Sequence, residues 1–200
     1  MIRIGRQIPH FEEVDLSSIS AEFSEDRRYR YLLEMRYGAS LYDAGRSKRA
    51  VVILKNPSAA DSSAADTTIR KVETYIYHHL KDVLQLSILN IFALRATDAS
   101  DLNEEFEASG EKAVVGPAND ATIRNITEGA DYVVVAWGNK SGINARLYEE
   151  RIGRVKRLIV GAGQTRVYCV EGEKETVQPL HGMMWGYDYK MFPYLKLKEE

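Results

Sequence analysis

The chain has 200 residues, 44% hydrophobic and 28% charged, a balance that suits one soluble globular domain with a full core. Its net charge of -2 excludes a global electrostatic pull toward nucleic acid or a membrane surface, so nucleic-acid binding would need a local basic patch. A single cysteine, Cys169, excludes an internal disulfide and a multi-cysteine metal site; no apolar run approaches the roughly 20 residues of a membrane span, and the start lacks the apolar stretch of a signal peptide, so a cytoplasmic protein is expected.

Residues 1–27 are mixed and weakly patterned and are expected to form an N-terminal extension to a single α/β domain over 28–200. Arg28 to Tyr37 has the aromatic, partly alternating character of a strand, and Gly38 to Lys48 reads as a turn, which predicts a hairpin into the strand that follows. Ala50-Val51-Val52-Ile53-Leu54 is a short apolar run of the kind found in strands covered on both faces. Asn56-Pro57-Ser58 ends it in a proline-locked turn, and a small, polar loop runs on to Thr68. Asp66 and Thr67 are good helix-start residues, with Ile69, Val72, Ile76, Leu80 and Val83 at helical spacing behind them.

Leu84 to Phe92 reads as the second core strand. Ile123 and Ile126 mark a short helix with Asn119 or Asp120 as cap and Gly129 as stop, before a third strand over Asp131 to Trp137. Leu147, Ile152, Val155 and Leu158 mark a further helix, ended by Gly161-Ala162-Gly163. Arg166 to Val170 is the fourth strand, with Cys169 as a core thiol. The alternation predicts a three-layer α/β/α fold with a mostly parallel central sheet of about four core strands, plus the N-terminal hairpin.

The polar residues gather at the strand ends. The first strand ends in Asn56-Pro57-Ser58; the second carries Asn90, with Phe92, Arg95, Thr97 and Asp98 close behind; the third ends in Trp137-Gly138-Asn139-Lys140; and Gln178-Pro179-Leu180-His181-Gly182 follows the fourth. In a parallel sheet these carboxyl ends lie side by side, where open α/β folds bind ligands. Three carboxamides and an imidazole suit the edges of a nucleobase, an amide or a sugar. Each residue also has a plainer reading. Asn56 either caps its own turn or faces a ligand. Asp66 either caps a helix or serves as a site carboxylate, and His181 either sits on the surface or reaches the pocket. Asn90 interrupts an apolar run, where a buried amide costs free energy unless it is partnered.

Other groups read as background. Arg146, Arg151, Arg154, Lys156 and Arg157 suit a solvated helix face, and His78-His79 the C-terminus of a helix. Arg70 and Lys71 place positive charge beside the pocket, which favours a phosphate-bearing ligand. Ser58 would be a nucleophile only with a base beside it, and His181 is the sole candidate. No phosphate-binding loop, Gly-x-Ser-x-Gly elbow, His-Glu-x-x-His or Cys-x-x-Cys pattern occurs, so neither a metal nor a cofactor is expected.

Several ordered elements resemble the bacterial and phage family called domain of unknown function 1643. These are Asn56-Pro57-Ser58-Ala59-Ala60-Asp61, Asp66-Thr67-Thr68-Ile69-Arg70, Asn90 through Asp98, Gly116-Pro117-Ala118-Asn119-Asp120 and Ala136-Trp137-Gly138. The resemblance covers roughly residues 28 to 195. It departs at Pro179-Leu180-His181-Gly182, where the family tends to carry a proline after the histidine. The order of elements also resembles the uracil-DNA glycosylase superfamily. That likeness implies a loop that positions water at Asn56-Pro57-Ser58, a base-reading amide at Asn90, and a histidine at His181 that stabilises the departing base; Trp137-Gly138 resembles the strand end that follows them.

Taken this way, Asn56 with Asp61 or Asp66 would position water, Arg70 or Lys140 would meet phosphate, and the protein would hydrolyse a base–sugar bond in a nucleotide or in nucleic acid carrying a modified base or a single strand. A non-catalytic nucleotide-binding module is the alternative. An interaction protein using Tyr29, Tyr31, Tyr37 and Tyr42 is a third reading.

Overall fold

A computed structural model of the chain describes residues 7–38, 45–58, 61, 63–96, 99–171 and 178–194. Its elements run β1 (Val14–Phe23), β2 (Arg30–Tyr37), β3 (Lys48–Leu54), α1 (Thr67–His79), β4 (Val83–Asn90), α2 (Ala99–Ser109), α3 (Glu111–Val115), α4 (Asn119–Thr127), β5 (Tyr132–Val135), α5 (Ala145–Gly161), β6 (Val167–Glu171) and β7 (Lys190–Pro193). Tyr42, Thr97 and Asp98 lie outside the described residues. Among those residues no helix is long and apolar enough to cross a membrane.

The four expected core strands are contiguous and parallel, in the order β4-β3-β5-β6. The sheet as a whole has seven strands rather than about four, ordered β1-β2-β4-β3-β5-β6-β7, because antiparallel strands extend it on both sides. Alternation along β3 sends its side chains to two cores. Ala50, Val52 and Leu54 pack with Ile69, Val72 and Ile76 of α1. Val51 and Ile53 pack with Ile123 of α4 and with Leu147, Ile152 and Val155 of α5. Both faces of the central strands are therefore dry, which is what a continuous apolar run encodes.

The expected hairpin is corrected. β2 does not pair with β3; it pairs with β1 on one side and β4 on the other. Both edges of β3 are already taken, by β4 and β5, so the only parallel-sheet edge left on that side belongs to β4. The residues expected as an extension contribute β1, which pairs with β2. Its burial is confined almost to Val14, so its sequence carries little of the apolar alternation that betrays a strand. The basic face of α5 is also corrected in part: Arg151 is fully buried, giving Nε to the Ile91 carbonyl and Nη1 to Asp120, each at 2.5 Å.

The segment ahead of β1 is clamped onto α1. His10 Nδ1 lies 2.5 Å from Glu73 Oε1, the Phe11 amide donates to Glu73 Oε2 at 2.8 Å, and both the His10 and Glu73 side chains are buried. Burial pulls the His10 imidazole down, but the hydrogen bond and the charge of Glu73 outweigh it, so its pKa is raised. A raised folded value contributes stability that is complete below the ordinary histidine value of 6.5 and is lost as pH rises through the folded value. The melting temperature is therefore expected to fall as pH is raised above 6.5. Glu73→Gln is expected to flatten that dependence and to cost about 2 kcal/mol at the acid end, read by denaturation at each pH.

Candidate functional site

The topology fixes where a site can form. From β3 the chain proceeds through α1 to β4 on one side, and it returns through α2, α3 and α4 to β5 on the other side of β3. β3 and β5 are thus neighbours whose onward connections leave in opposite directions, and a crevice opens outside their carboxyl ends. A cavity of about 800 Å³ lies there.

Its first wall is the loop after β3. The ladder runs on past the strand: the Ile91 amide donates to Leu54 O and the Phe92 amide to Lys55 O, each at 2.9 Å. At Pro57 the chain turns away. Pro57 O accepts from the Ala96 amide at 3.1 Å and Asn56 Nδ2 donates to Ala96 O at 2.6 Å, so the turn is stitched to the segment after β4. That bond uses the amide nitrogen of Asn56 and leaves its oxygen as the acceptor. Asp66 caps α1, accepting from the Ile69 amide at Oδ1 at 2.9 Å, while Ser58 Oγ donates to Oδ2. Capping and facing the cavity are therefore not alternatives: Asp66 caps α1 and lines the cavity, because a carboxylate has two oxygens.

The second wall is the end of β5 and the loop that carries His181. Gly138 sits at φ +71, and a Cβ there would come within 2.9 Å of His181 Cβ. Gly182 sits so close to α1 that a Cβ would meet Leu54 Cδ2 and Val72 Cγ2 at 2.9 Å, and its amide donates to Ala136 O at 3.3 Å. A proline at 182 could not give that bond. His181 Nδ1 accepts from the Met183 amide at 3.2 Å, which assigns the ring proton to Nε2. Burial, and secondarily the charge of Lys55, pull its pKa down to about 4. At neutral pH His181 is an uncharged N–H donor.

Asn56, Ser58, Asp66, Gly138 and His181 thus line one cavity. Other residues singled out from the sequence lie elsewhere. Asn90 is buried at the end of β4, in register with Leu54, and neither atom of its side-chain amide has a hydrogen-bond partner. Phe92 and Trp137 are core side chains, and Pro57 is buried in its turn. Asp61 organises its own loop, accepting from Ser63 and Ala64; those bonds outweigh the effect of burial and leave its pKa low. Arg70 is spent on Pro9 O, His10 O and Glu12. Arg95 donates to Arg27 O at 3.3 Å and stacks on Phe23, and Lys140 is exposed. Cys169 is buried and pushed up to about 12 by burial, inert as a nucleophile at neutral pH.

Lys55 and Arg30, which sequence reasoning missed, also line the cavity. Both are buried cations. Burial pulls the Lys55 ammonium down, and it brings Arg30 down to about 10 against the opposing charge of Asp66. The signal for Lys55 was present: it is the first charged residue after five apolar ones, at a strand end. Arg30 gave none, because only the pairing of β2 with β4 brings it to the cavity. Among the described residues no group of three or more histidine, cysteine, aspartate or glutamate side chains could hold a metal.

The chain matches, over residues 30–182, the family model described as "Protein of unknown function (DUF1643)", and it belongs to that family. No curated protein and no solved structure matches it at a significant level. Two outcomes follow from the geometry. His181 is expected to titrate near 4 by NMR, and Lys55→Met is expected to raise that value, because a neighbouring positive charge has been removed. Gly138→Ala is expected to cost about 1–3 kcal/mol and to perturb the His181 ring signals, since the left-handed backbone and the contact with His181 Cβ are both disturbed.

Proposed function

We propose that this member of a family without an assigned activity holds a nucleobase in the cavity at the ends of β3 and β5 and hydrolyses the bond between base and sugar. The observation that carries the reading is the convergence of Asn56, the Ser58–Asp66 pair and the uncharged N–H of His181 on one cavity of about 800 Å³. That volume falls within the range of small-molecule sites, roughly 300–1,000 Å³.

In this reading Asp66 keeps lone pairs beyond those used by Ser58 and Ile69 and accepts one proton of a bound water, with the Asn56 carboxamide oxygen accepting the other. The water oxygen bonds to the sugar carbon as the carbon–nitrogen bond breaks. Its electron pair leaves with the base, and the water proton passes to Asp66. His181 Nε2–H meets the base oxygen on which negative charge accumulates; a neutral donor of this kind is aimed at charge that exists only as the bond breaks. Proton return from Asp66 through solvent completes the balance. Asn90 is buried outside the cavity lining, and its amide without a partner costs about 1–3 kcal/mol. The three-layer, uracil-DNA-glycosylase-like arrangement belongs to this proposal, as an analogy of element order.

The second reading is a nucleotide-binding module without turnover. What favours it is the double engagement of Asp66 as helix cap and serine partner, which leaves the carboxylate less free to move a proton.

A panel of nucleosides, nucleotides and oligonucleotides with ordinary and modified bases, assayed for released base, tests the proposal. Asp66→Asn and His181→Ala are each expected to lower turnover by about 10²- to 10⁴-fold. Asn90→Leu is expected to fold with equal or higher stability, read by denaturation, because it removes a buried amide that has no partner. Ligand-dependent melting shifts with no released base across the panel would transfer the assignment to the binding module. No shift and no release would end both readings.

A further inference from the structure

We propose that the ligand enters as a phosphate monoester, a free nucleoside monophosphate, with its phosphate seated on Lys55 and Arg30; this rests on the nucleobase reading of the same cavity. Lys55 carries the argument. It follows five apolar residues of β3, it is only 9% exposed, and it lines the cavity. Among the described residues no carboxylate pairs with it; its charged end lies 6.0 Å from the centroid of the Tyr148 ring. An ammonium held out of water without a counter-ion is costly, and a ligand anion repays that cost. Arg30, 1% exposed, lines the same cavity.

The described lining of the cavity carries Lys55 and Arg30 beside Asp66; Arg30 feels the charge of both Asp66 and Asp61, and His181 is uncharged. Exposed Met183 and Met184, with Leu54, supply an apolar side suited to the face of a base. A monoester is favoured over a nucleic-acid strand by the placement of the cations. A strand is bound by rows of exposed lysine and arginine that follow successive phosphates. Here the cations are buried, so the phosphate must come to them. Arg70, the basic residue that opens α1, is committed to Pro9, His10 and Glu12 rather than to an outer phosphate track. A terminal monoester also brings close to two negative charges at neutral pH, against one for an internal diester.

Calorimetric titration decides the matter, with a nucleoside, its 5′-monophosphate, inorganic phosphate, and single- and double-stranded oligonucleotides of the same base as probes. The monophosphate is expected to bind at least about tenfold tighter than the nucleoside. Lys55→Met is expected to bring the two ligands level while the melting temperature holds or rises; Lys55→Gln repeats the measurement if the methionine variant aggregates. Equal binding of nucleoside and monophosphate, or oligonucleotides binding more tightly than the monophosphate, would overturn the phosphate inference and leave the base pocket standing. Binding of inorganic phosphate alone, lost in the lysine variants, would retain the cation site and overturn the base reading. No binding of any probe would overturn both.

Discussion

From Ala50 to Leu54, strand β3 has no free edge and no wet face, and the rest of the molecule is arranged around that constraint. β4 and β5 take its two edges, and helices α1, α4 and α5 dry its two faces. A polar side chain has no place along that run, because burying it without a partner costs free energy. Chemistry is therefore displaced to the end, where Lys55, Asn56 and Ser58 follow Leu54 in sequence. The Pro57 turn, held through both Asn56 and Pro57 to Ala96, keeps that displaced group rigid rather than leaving it as a loose loop.

The second organising feature is electrostatic. A chain that is slightly acidic overall keeps two buried cations at one cavity, and one of them helps hold His181 uncharged. The same carboxylate that starts α1 supplies the compensating negative charge and anchors Ser58. Helix initiation, serine orientation and local charge balance are thus coupled through Asp66, and a substitution there acts on all three. On the opposite wall the coupling is steric: Gly138 and Gly182 let β5 and α1 approach the His181 loop closely enough to enclose the cavity.

Legibility followed the strength of the local signal. The four central strands could be read because strands buried on both faces are continuous apolar runs, and α1 and α5 because their buried residues recur at helical spacing. β1 escaped because an edge strand half in water has a diluted pattern, and α2 and α3 because their segments are short or predominantly polar. At the site, Asn56, Ser58, Asp66, Gly138 and His181 were legible as polar or glycine residues at strand ends. Arg70 and Lys140 were named for their charge near those ends. Charge along a sequence does not say which carbonyl or carboxylate claims it, and Arg70 is claimed by the N-terminal segment.

By itself, the sequence determined the α/β alternation, the family, and the gathering of polar residues after apolar runs, since each of these is written in local periodicity and in short ordered motifs. Only the tertiary structure decided the pairing of β2 with β4, and with it the arrival of Arg30 at a wall otherwise built from β3, β5 and the His181 loop. It likewise decided that Arg151 lies buried within a basic helix, and that Lys55 is buried at the cavity without an ion pair among the described residues. The physical reason is the same in each case. Burial and charge pairing are properties of which elements become neighbours, and strand order is set by competition for edges across the whole sheet rather than by any one segment.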